Sequence, residues 1–539
     1  MKIIGTNGGL RAGYQDISST YLDEERLLAI EEERLSRIKH SPGKLPEKSL
    51  KWLLDTTNNQ MNDINLIATH GKTWHREYPE QLREYYKSKF GSCPELEIWH
   101  HHHAHAASSY YASNFDSSLV LTMDSSGDGS STQVWDFKKN QEGLLEDYKR
   151  PQSLGIFYSL ITQACGFTRD SDEYKLMGLA PYGDPDAIDL SEILSWKTDR
   201  YVLDESFLIQ LPKGSPQPGQ QMPLYSKKLI QKLGAPRLPF GAITTREKNL
   251  AASAQKALEH TVLQLIRYWL KKTGHRKICL AGGVALNCVL NQRIMNLPEV
   301  DDIFIQPASS DAGISLGAAY LSANKHGLRI PPFKNTFLGR KWESEEVRQQ
   351  LQALGLNFNN CPYPDEQAAK HVANGLVIGW FQGADEFGPR SLGARSILAN
   401  PCSPEIQKRV NAKIKFRESF RPFCPSVLSE DKSKYFIGAK EESPYMTITY
   451  DVNEHGQKNL PGITHVNKTA RIQTVNQQQD KLYSSYLEQL KKRTGHGVSL
   501  NTSFNRSNEP IAASVRDAVS IFFGSGLDAL VIDQFIITK

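Results

Sequence analysis

The chain has 539 residues, more than one hydrophobic core usually supports, so two or more domains are expected. Hydrophobic residues make up 39% and charged residues 23% of the sequence, which excludes an intrinsically disordered protein. The formal net charge of +5 is small for this length and differs from that of a generally basic nucleic-acid-binding protein.

The sequence favours an intracellular protein with reduced thiols. Residues 1–5 lack the long apolar core of a signal peptide, and no stretch reaches the roughly 18 apolar residues of a membrane-spanning helix. The seven cysteines include no CxxC pair and are irregularly spaced, so they predict neither a disulfide framework nor a zinc ribbon. We therefore expect a cytoplasmic protein.

Short apolar runs that end at a glycine or a carboxylate recur along the chain. The strand candidates among them are residues 2–4, 119–123, 278–281, 377–381 and 529–532. The first runs into Gly5, the second ends at Asp124, and the third runs into Gly282 and Gly283 before a helical pattern. Strands that alternate with helices in this way predict an α/β protein.

The first two runs each predict a strand, a glycine turn and a second strand. Residues 18–22 follow the first turn and residues 132–135 follow the second, and both have strand propensity. This arrangement is typical of the ribonuclease H-like core of actin-type ATPases, whereas a dinucleotide fold would enter a helix after GxGxxG. A domain boundary is predicted between residues 327 and 345, where Pro331 and Pro332 lie beside a polar connection.

Five of the 15 histidines lie within residues 100–105. On a helix, His101 and His105 share a face because they are four residues apart, so they can bind one metal ion. Asp124 and Asp311 would add carboxylates, and this donor set suits a borderline divalent ion such as Fe(II), Mn(II) or Zn(II). The alternatives are a solvated polar helix face for the histidines and a turn or helix cap for Asp124.

A second group of candidates would contact a nucleotide. Gly282 and Gly283 let the backbone approach a ligand closely, and the helix that follows favours an anion at its N-terminus. Asn287 would present an amide to a ribose, phosphate or acyl group, and Gly127 lies in the turn after Asp124. Tight packing of a strand against a helix explains the glycine pair equally well.

Between residues 390 and 421 the sequence has eight basic and two acidic residues, a net charge of +6. Guanidinium groups bind phosphate bidentately, so basic residues interspersed with glycine, serine and proline favour polyphosphate recognition. The candidates for this site are Arg390, Arg395, Lys415, Arg417, Arg421, Arg471, Asn501, Ser503 and Asn505. Lys408, Arg409 and Lys413 fit a solvated helix instead, and aromatic residues are too sparse to favour nucleic acid.

Eight sequence blocks occur in one order along almost the whole chain. They are EEERLSRIKH (31–40), HHHAHA (101–106), EYKLMGLAPYG (173–183), LAGGVALN (280–287), QPASSDAGISLGAA (306–319), EFGPRSLGARSIL (386–398), KFRESFRPFCPSVL (415–428) and NTSFN (501–505). Together they resemble the O-carbamoyltransferase family of antibiotic and nodulation-factor biosynthesis, which includes the tobramycin, cephamycin and novobiocin carbamoyltransferases.

The resemblance implies two domains and an ATP-dependent reaction. Residues 1–340 would form an actin-like ATPase domain of the threonylcarbamoyltransferase type, and residues 345–539 a YrdC-like α/β domain. The second domain would form carbamoyl-AMP from carbamoyl phosphate and ATP, with Mg²⁺ bound to the ATP. The first would hold a divalent metal, with Fe²⁺ expected ahead of Mn²⁺ or Zn²⁺, and transfer the carbamoyl group to a hydroxyl of a natural product or sugar.

The same resemblance implies roles for individual residues. The metal ligands would be His101, His105, Asp124 and Asp311. The residues that would contact the adenylate in the first domain are Lys39, Gly282, Gly283 and Asn287. Those that would hold ATP and carbamoyl phosphate in the second are Arg390, Lys415, Arg421, Arg471, Asn501 and Ser503. The catalytic candidates are Asp16, Lys39, Arg390 and Arg421.

The sequence departs from the family pattern at three places. Gln15 and Asp16 stand where members usually have a His-Asp pair, and that histidine is the candidate general base for the acceptor hydroxyl. Glutamine takes no proton at neutral pH, so either Asp16, a metal-bound group or a clustered histidine serves instead, or the acceptor step is altered. Ser125 replaces a common glycine, and Asn467 with Lys468 replaces a common Asp-Gly pair.

Three other interpretations stay open. A threonylcarbamoyl-type tRNA-modifying enzyme would need a tRNA-binding surface, which the near-neutral charge disfavours. A hydrogenase-maturation carbamoyltransferase would carry CxxC zinc motifs, which the sequence lacks. A non-catalytic nucleotide-binding regulator is the third, because of Gln15.

The expected partners are carbamoyl phosphate, ATP and a small hydroxyl acceptor, with no nucleic acid and no membrane. The acceptor itself is not specified by the sequence. Residues 74–86 and 209–237 are aromatic or proline-rich and are candidates to shape its pocket. A homodimer is left open.

Overall fold

The computed structural model describes residues 1–9, 16–139, 141–209, 223–438, 440 and 442–539. The chain divides into two units: the first is Met1–Glu32 with His40–Phe333, and the second is Glu33–Lys39 with Lys334–Lys539. The short segment Glu33–Lys39 is thus grouped with the second unit. Gln15 and much of the predicted acceptor segment, residues 210–222, lie outside the described residues.

Two five-stranded sheets form the frame of the first unit. The first sheet contains β1 (Ile3–Asn7), β2 (Ser18–Leu22), β3 (Leu27–Glu31), β4 (Leu66–His70) and β5 (Glu95–Trp99). The second sheet contains β6 (Ser117–Gly127), β7 (Ser130–Lys138), β8 (Gln141–Lys149), β11 (Lys277–Ala281) and β12 (Asp302–Ile305). Between β8 and β11 in the chain, β9 (Leu194–Lys197) and β10 (Arg200–Leu203) form a separate hairpin.

The two sheets share one topology. Their strand orders are β3-β2-β1-β4-β5 and β8-β7-β6-β11-β12, so each sheet has its first strand in the centre. In both, the next two strands of the chain pair antiparallel and the last two pair parallel. This duplicated mixed sheet confirms the α/β class and is the arrangement expected of an actin-type ATPase.

Parallel strands end at the same edge of a sheet, and ligands of α/β proteins bind at that edge. In the first sheet, His70 at the end of β4 pairs with Trp99 at the end of β5. In the second, Thr122 of β6 pairs with Ala281 of β11, which brings Asp124 beside the glycine pair that follows β11. The topology therefore gathers the predicted site residues of the first unit at strand ends.

Helices cover the two sheets and connect their strands. They are α1 (Glu32–Ser36), α2 (Lys48–Thr57), α3 (Tyr78–Phe90), α4 (His101–Ser113), α5 (Leu154–Ala164), α6 (Glu173–Leu179), α7 (Lys227–Leu233), α8 (Thr245–Thr273), α9 (Cys288–Met295) and α10 (Ala312–Lys325). Two glycines allow α10 to approach β1 and α4. A Cβ on Gly5 would lie 1.9 Å from the Ser315 carbonyl oxygen, and one on Gly317 would lie 1.7 Å from that of Ala104.

The second unit is built on a mixed eight-stranded sheet. Its strands and those of a small three-stranded sheet are β13 (Asn359–Asn360), β14 (Ile378–Phe381), β15 (Arg395–Ala399), β16 (Cys424–Leu428), β17 (Phe436–Ile437), β18 (Thr449–Val452), β19 (Thr469–Arg471), β20 (Gln473–Val475), β21 (Val498–Ser503), β22 (Ala529–Ile532) and β23 (Phe535–Thr538). The large sheet has the order β13-β23-β22-β14-β15-β21-β16-β20, and β17, β18 and β19 form the small one.

Seven helices in the described part of the chain accompany these strands. They are α11 (Ser344–Ala353), α12 (Pro364–Ala373), α13 (Glu405–Val410), α14 (Lys432–Tyr435), α15 (Glu454–Asn459), α16 (Lys481–Thr494) and α17 (Val515–Phe523). Trp380 of β14 is fully buried against Tyr483 and Tyr486 of α16, and its indole N–H donates to the Gly393 carbonyl oxygen at 2.6 Å. No helix among the described residues combines the length and apolar character that crossing a bilayer requires.

Candidate metal centre and basic site

Helix α4 begins where β5 ends, and its first turn is fixed by two polar side chains. The His100 ring nitrogen accepts a hydrogen bond from the His102 backbone N–H and caps the helix. The Asp128 carboxylate accepts the His101 backbone N–H at 2.8 Å, where a negative charge also interacts favourably with the helix dipole. His101 and His105 consequently face the same side of α4.

The four predicted metal ligands converge in the first unit. His101 Nε2 lies 3.5 Å from Asp124 Oδ2 and 3.6 Å from Asp311 Oδ1. His105 Nε2 lies 3.3 Å and 3.5 Å from the same two oxygens. One ligand atom from each residue lies within 4.8 Å of all the others. We call these four residues the metal cluster; α4, β6 and the start of α10 supply them.

The donor atoms of the metal cluster fit a cation placed between them. Four tetrahedral ligands at about 2.1 Å from an ion lie about 3.4 Å from one another, and the four His–Asp separations are 3.3–3.6 Å. His105 Nε2 is buried and has no hydrogen bond of acceptable geometry among the described residues. Two imidazoles and two carboxylates suit a borderline divalent ion.

Burial and the neighbouring charges shift the pKa values of the residues in the metal cluster. Burial lowers the pKa of His105, but Asp124 and Asp311 outweigh it and raise that pKa to about 9. Burial raises the pKa of Asp124, but the adjacent imidazoles of His101 and His105 outweigh it and hold that pKa well below its usual range. Burial raises the pKa of Asp311. A divalent cation would compensate these buried carboxylates directly and would displace protons from the imidazoles.

Three glycines predicted to contact a nucleotide lie against the metal cluster. A Cβ on Gly127 would lie 2.0 Å from Cδ2 of His101, so only glycine leaves room for that ring. Gly282 has a φ of 90°, and a Cβ there would lie 2.3 Å from the Met123 carbonyl oxygen. A Cβ on Gly283 would lie 3.3 Å from Asp124 Oδ1. Glycine at these positions therefore allows the metal cluster to pack closely, in addition to any close approach to a ligand.

The second unit contains a buried ammonium group at the end of a π-helical turn, Asn411–Lys415. Lys415 Nζ donates to the Ser503 carbonyl oxygen at 2.8 Å and to its hydroxyl at 3.1 Å. It also donates to the Asn505 carbonyl oxygen at 2.8 Å and to its side-chain oxygen at 2.5 Å. Burial, together with the charges of Arg417 and Arg421, lowers the pKa of Lys415 well below its usual range.

The cationic side chains around Lys415 form what we call the basic site: Lys39, Lys415, Arg417 and Arg421. The charge of Lys39 adds to the lowering of the Lys415 pKa, which is consistent with the grouping of Lys39 in the second unit. Arg417 donates to the Asn411 side-chain oxygen at 2.7 Å.

Arg421 lies 3.5 Å from the Glu418 carboxylate and keeps a partly exposed side chain. Arg471, at the end of β19, donates to Cys424 Sγ at 3.0 and 3.2 Å. Arg390 is half-buried in the loop between β14 and β15. The structure thus brings Lys39, Lys415, Arg417 and Arg421 together.

Family models match both units of the chain. Residues 71–320 match the model described as "Carbamoyltransferase N-terminus", and residues 369–539 match "Carbamoyltransferase C-terminus". A relative from Sinorhizobium fredii, nodulation protein NolNO, is 36% identical over 583 residues, an alignment that covers 100% of this chain and 83% of the relative. The chain belongs to the carbamoyltransferase family. Membership implies a transferase.

Another relative of this carbamoyltransferase is the 3'-hydroxymethylcephem-O-carbamoyltransferase of Amycolatopsis lactamdurans. It is 28% identical over 378 residues, which cover 68% of this chain and 65% of the relative. Among solved structures, full-length HypF in a phosphate- and nucleotide-bound form aligns at 12% identity with a TM-score of 0.34, over 60% of this chain and 55% of HypF. The family assignment rests on the sequence matches alone.

Arg395, a predicted phosphate ligand of the carbamoyltransferase, is held entirely within the second unit. Its side chain is 0% exposed, and Nε lies 2.6 Å from Asp385 Oδ1. The guanidinium also donates to the Gln382 and Gly383 carbonyl oxygens and lies over the Phe381 ring. These contacts support the loop between β14 and β15. We therefore do not include Arg395 among the residues proposed to bind phosphate.

Two predicted asparagines also have protein partners in this structure. Asn287 caps α9 by accepting the Leu290 backbone N–H, and its amide exchanges hydrogen bonds with Gln255. Asn501 is buried and donates to the Ser391 carbonyl oxygen and the Ser426 hydroxyl. Their side chains therefore organise neighbouring loops, and a ligand would have to share these groups.

Two residues near the metal cluster were not predicted from the sequence. His70 is fully buried, and its ring centroid lies 5.4 Å from that of His101; burial lowers its pKa to about 3. Asp128 accepts hydrogen bonds from Thr73 and Lys72 as well as from His101. Their positions in the sequence could have indicated them, because His70 ends a strand and Asp128 lies in the turn after Asp124.

The other clustered histidines point away from the metal cluster. His102 bonds to the Thr122 hydroxyl at 2.8 Å, and His103 stacks on Trp135 with ring centroids 4.7 Å apart.

The predicted catalytic residue Asp16 lies in the first unit, where its Oδ1 is 2.6 Å from His40 Nδ1. His40 was not among the predicted site residues.

Proposed function

We propose that this carbamoyltransferase is an ATP-dependent O-carbamoyltransferase. It would convert carbamoyl phosphate and ATP to carbamoyl-AMP and transfer the carbamoyl group to a hydroxyl of a small molecule. The observation that carries the proposal is the buried four-residue metal cluster in a chain of this family, with a separate buried basic site in the second unit. One site suits an activated acyl group, and the other suits phosphates.

The second unit is proposed to be the YrdC-like adenylate-forming half. Lys415, Arg417 and Arg421 would neutralise the phosphates of ATP and carbamoyl phosphate, with Lys39 and Arg390 beside them and Mg²⁺ accompanying ATP. One water would cleave the bond between carbonyl carbon and phosphate oxygen in carbamoyl phosphate and give carbamate and inorganic phosphate, and a carbamate oxygen would then attack the α-phosphorus of ATP. The bond from the α-phosphorus to the bridging oxygen would break and release pyrophosphate. Carbamate decomposes in water, so these steps require a site that excludes solvent.

The first unit is proposed to bind carbamoyl-AMP at the metal cluster. A bound divalent ion, with Fe²⁺ as our first candidate, would supply Lewis-acid polarisation of the adenylate. His101 and His105 would bind through Nε2, and Asp124 and Asp311 would offset the positive charge. Gly127 and Gly282 would keep the cluster closely packed while leaving space beside Asp124.

An alcohol acceptor is the part of the proposal that the relatives support. The name of the Amycolatopsis protein specifies a hydroxymethyl cephem as its acceptor, and the nodulation protein's name specifies none. We propose a small natural product or sugar as the acceptor class and the cytoplasm as the compartment, where ATP and carbamoyl phosphate are available.

The test is to incubate the chain with ATP and carbamoyl phosphate and to measure pyrophosphate and carbamoyl-AMP. We expect pyrophosphate release that requires both substrates, and its absence would exclude the proposed reaction. Arg421→Ala should lower the rate about 100-fold or more because transition-state charge on the phosphates loses a partner. The matched control is Arg348→Ala, since Arg348 is also paired with a glutamate three residues earlier, at 3.6 Å, away from the basic site.

A further inference from the structure

Asp16, in the loop between β1 and β2, and His40, between α1 and α2, form a hydrogen-bonded carboxylate–imidazole pair. Asp16 Oδ1 lies 2.6 Å from His40 Nδ1, and the Asp16 backbone N–H donates to the His40 carbonyl oxygen at 2.9 Å. Side chain and backbone therefore join the same two residues, which are 24 positions apart. A ring tied in this way has a fixed orientation and a fixed tautomer, with Nδ1 as the proton donor and Nε2 as the basic nitrogen.

The backbone at this pair is strained. Asp16, His40 and Ser41 have φ values of 54°, 61° and 41°, in the left-handed region that side chains other than glycine rarely adopt. Such conformations persist only where surrounding contacts impose them, and they concentrate at functional sites. The strain indicates that surrounding contacts impose the position of the His40 ring.

The pair lies at the end of the first sheet from which α4, the helix with His101 and His105, also begins. The buried Asn7 side chain, at the end of β1, donates to the Asp16 carbonyl oxygen at 2.9 Å. β1, β4 and β5 are parallel, so the end of β1 is two strand spacings, about 10 Å, from Trp99 at the end of β5, and α4 begins at His101. On the other side, the Ser18 hydroxyl donates to the carbonyl oxygen of Ala312, the residue after Asp311.

We propose that His40, oriented by Asp16, is the general base that activates the acceptor hydroxyl. This inference rests on the proposed function. Nε2 of His40 would accept the proton of the acceptor O–H while that oxygen attacks the carbamoyl carbon of carbamoyl-AMP. The bond between the carbamoyl carbon and the phosphate oxygen breaks, AMP leaves with the electron pair, and the proton passes from the imidazolium to solvent.

Other candidates for this role are less suitable. A lone carboxylate is a weak base at neutral pH, whereas an imidazole has the proton affinity that general-base catalysis requires. His101 and His105 direct Nε2 into the metal cluster, and His102 is bonded to Thr122. The His40 side chain is 29% exposed, so an acceptor can reach it. His40 thereby fills the role that Gln15 cannot perform.

The experiment separates base-dependent from base-independent transfer. The full-length chain is given ATP and carbamoyl phosphate with glycerol as the probe alcohol or with hydroxylamine, which attacks without a base and yields hydroxyurea. Pyrophosphate, glyceryl carbamate and hydroxyurea are measured for wild type and for His40→Gln. We expect the variant to lose glyceryl carbamate formation by about 10²- to 10⁴-fold, with pyrophosphate and hydroxyurea within about twofold of wild type. Added imidazole should restore part of the loss.

The control is His326→Gln, because His326 forms a similar imidazole–carboxylate pair with Glu97 at 2.9 Å and is 32% exposed. It should change none of the three products. Three results would overturn the role of His40: glyceryl carbamate within about threefold of wild type, an equal fall of glyceryl carbamate and hydroxyurea, or a wild type no faster with glycerol than the variant. A wild type that releases no pyrophosphate would overturn the proposed function itself.

Discussion

The metal cluster and the basic site both bury charge, but they compensate it in different ways. In the metal cluster, His101 and His105 face Asp124 and Asp311, so opposite charges meet directly. In the basic site, like charges are gathered, and Lys415 is held by oxygens of Ser503 and Asn505 that carry no net charge. The first arrangement is suited to a bound cation. In the second, Glu33 lies 2.8 Å from Lys39 and Glu418 lies 3.5 Å from Arg421, so carboxylates offset part of the positive charge, and an anionic ligand would offset more of it.

The largest effect is expected when both imidazoles of the metal cluster are removed. His101→Ala with His105→Ala leaves two buried carboxylates without cationic or metal partners, so bound metal per chain should fall to near zero. Pyrophosphate release should persist because the basic site is intact. Elemental analysis and the pyrophosphate assay measure the two outcomes.

His103→Ala is the control for that double variant. His103 lies on the same helix but stacks on Trp135, so this substitution should keep the metal. If the double variant retains a full complement of metal, or if pyrophosphate release disappears with it, the separation of the two sites is wrong.

The second-largest effect is expected when Lys415, the buried lysine of the basic site, is removed. Lys415→Ala leaves the oxygens of Ser503 and Asn505 without the Nζ donor, which should lower the free energy of unfolding by about 1–3 kcal/mol. Loss of the repulsion between Lys415 and the charges of Arg417 and Arg421 offsets part of this cost. Pyrophosphate release should also fall below detection. Lys413→Ala is the matched control: Lys413 lies in the same π-helical turn but is exposed. Equal stability of the two variants in urea would contradict the buried role of Lys415.

A smaller effect tests how tightly the metal cluster is packed. Gly127→Ala would place a Cβ 2.0 Å from Cδ2 of His101, so the ring must move and metal affinity should fall about 10- to 100-fold. Gly143→Ala serves as control, because no atom lies within 4 Å of a Cβ there. Metal titration should find Gly143→Ala unchanged; a similar loss in both would show that ring placement is not the cause.

The smallest effect is expected in the turn that precedes Arg471. Lys468 has a φ of 62° and an exposed side chain. Its backbone N–H donates to the His465 carbonyl oxygen, a bond that glycine retains. Lys468→Gly should therefore raise the free energy of unfolding by about 0.5 kcal/mol. Lys468→Ala keeps the strain and should give no gain in the same urea measurement.

Regular periodicity allowed much of the first unit to be predicted. The spacing of His101 and His105 indicated a shared helix face, and strand–turn–strand patterns indicated the antiparallel pairs β1–β2 and β6–β7 of the two mixed sheets. Asp311 is 187 residues beyond Asp124 in the sequence, and only the family resemblance associated the two. His70 and Asp128 were missed because the register of parallel strands, which no local pattern encodes, brings them beside His101.

In the second unit, the basic segment was easier to find than to interpret. Charge density drew attention to Arg395 and Arg421 alike, yet Arg395 is neutralised by Asp385 in the interior while Arg421 stays partly exposed. Sequence alone does not specify which guanidinium has a buried carboxylate opposite it, because Asp385 is one of many acidic residues. The family resemblance assigned Lys39 to the first domain, whereas contacts group it with the second unit.

The segment Glu33–Lys39 makes the second unit discontinuous along the chain. Arg34 donates to the Gly388 carbonyl oxygen, and Arg37 donates to those of Pro510 and Ile511. During synthesis, Arg34 precedes Gly388 by 354 residues, an interval of about 20–70 s at typical translation rates. A segment that is synthesised late must therefore pack against one that is synthesised much earlier, and expressing residues 334–539 as a separate fragment would leave those carbonyl groups without their arginines.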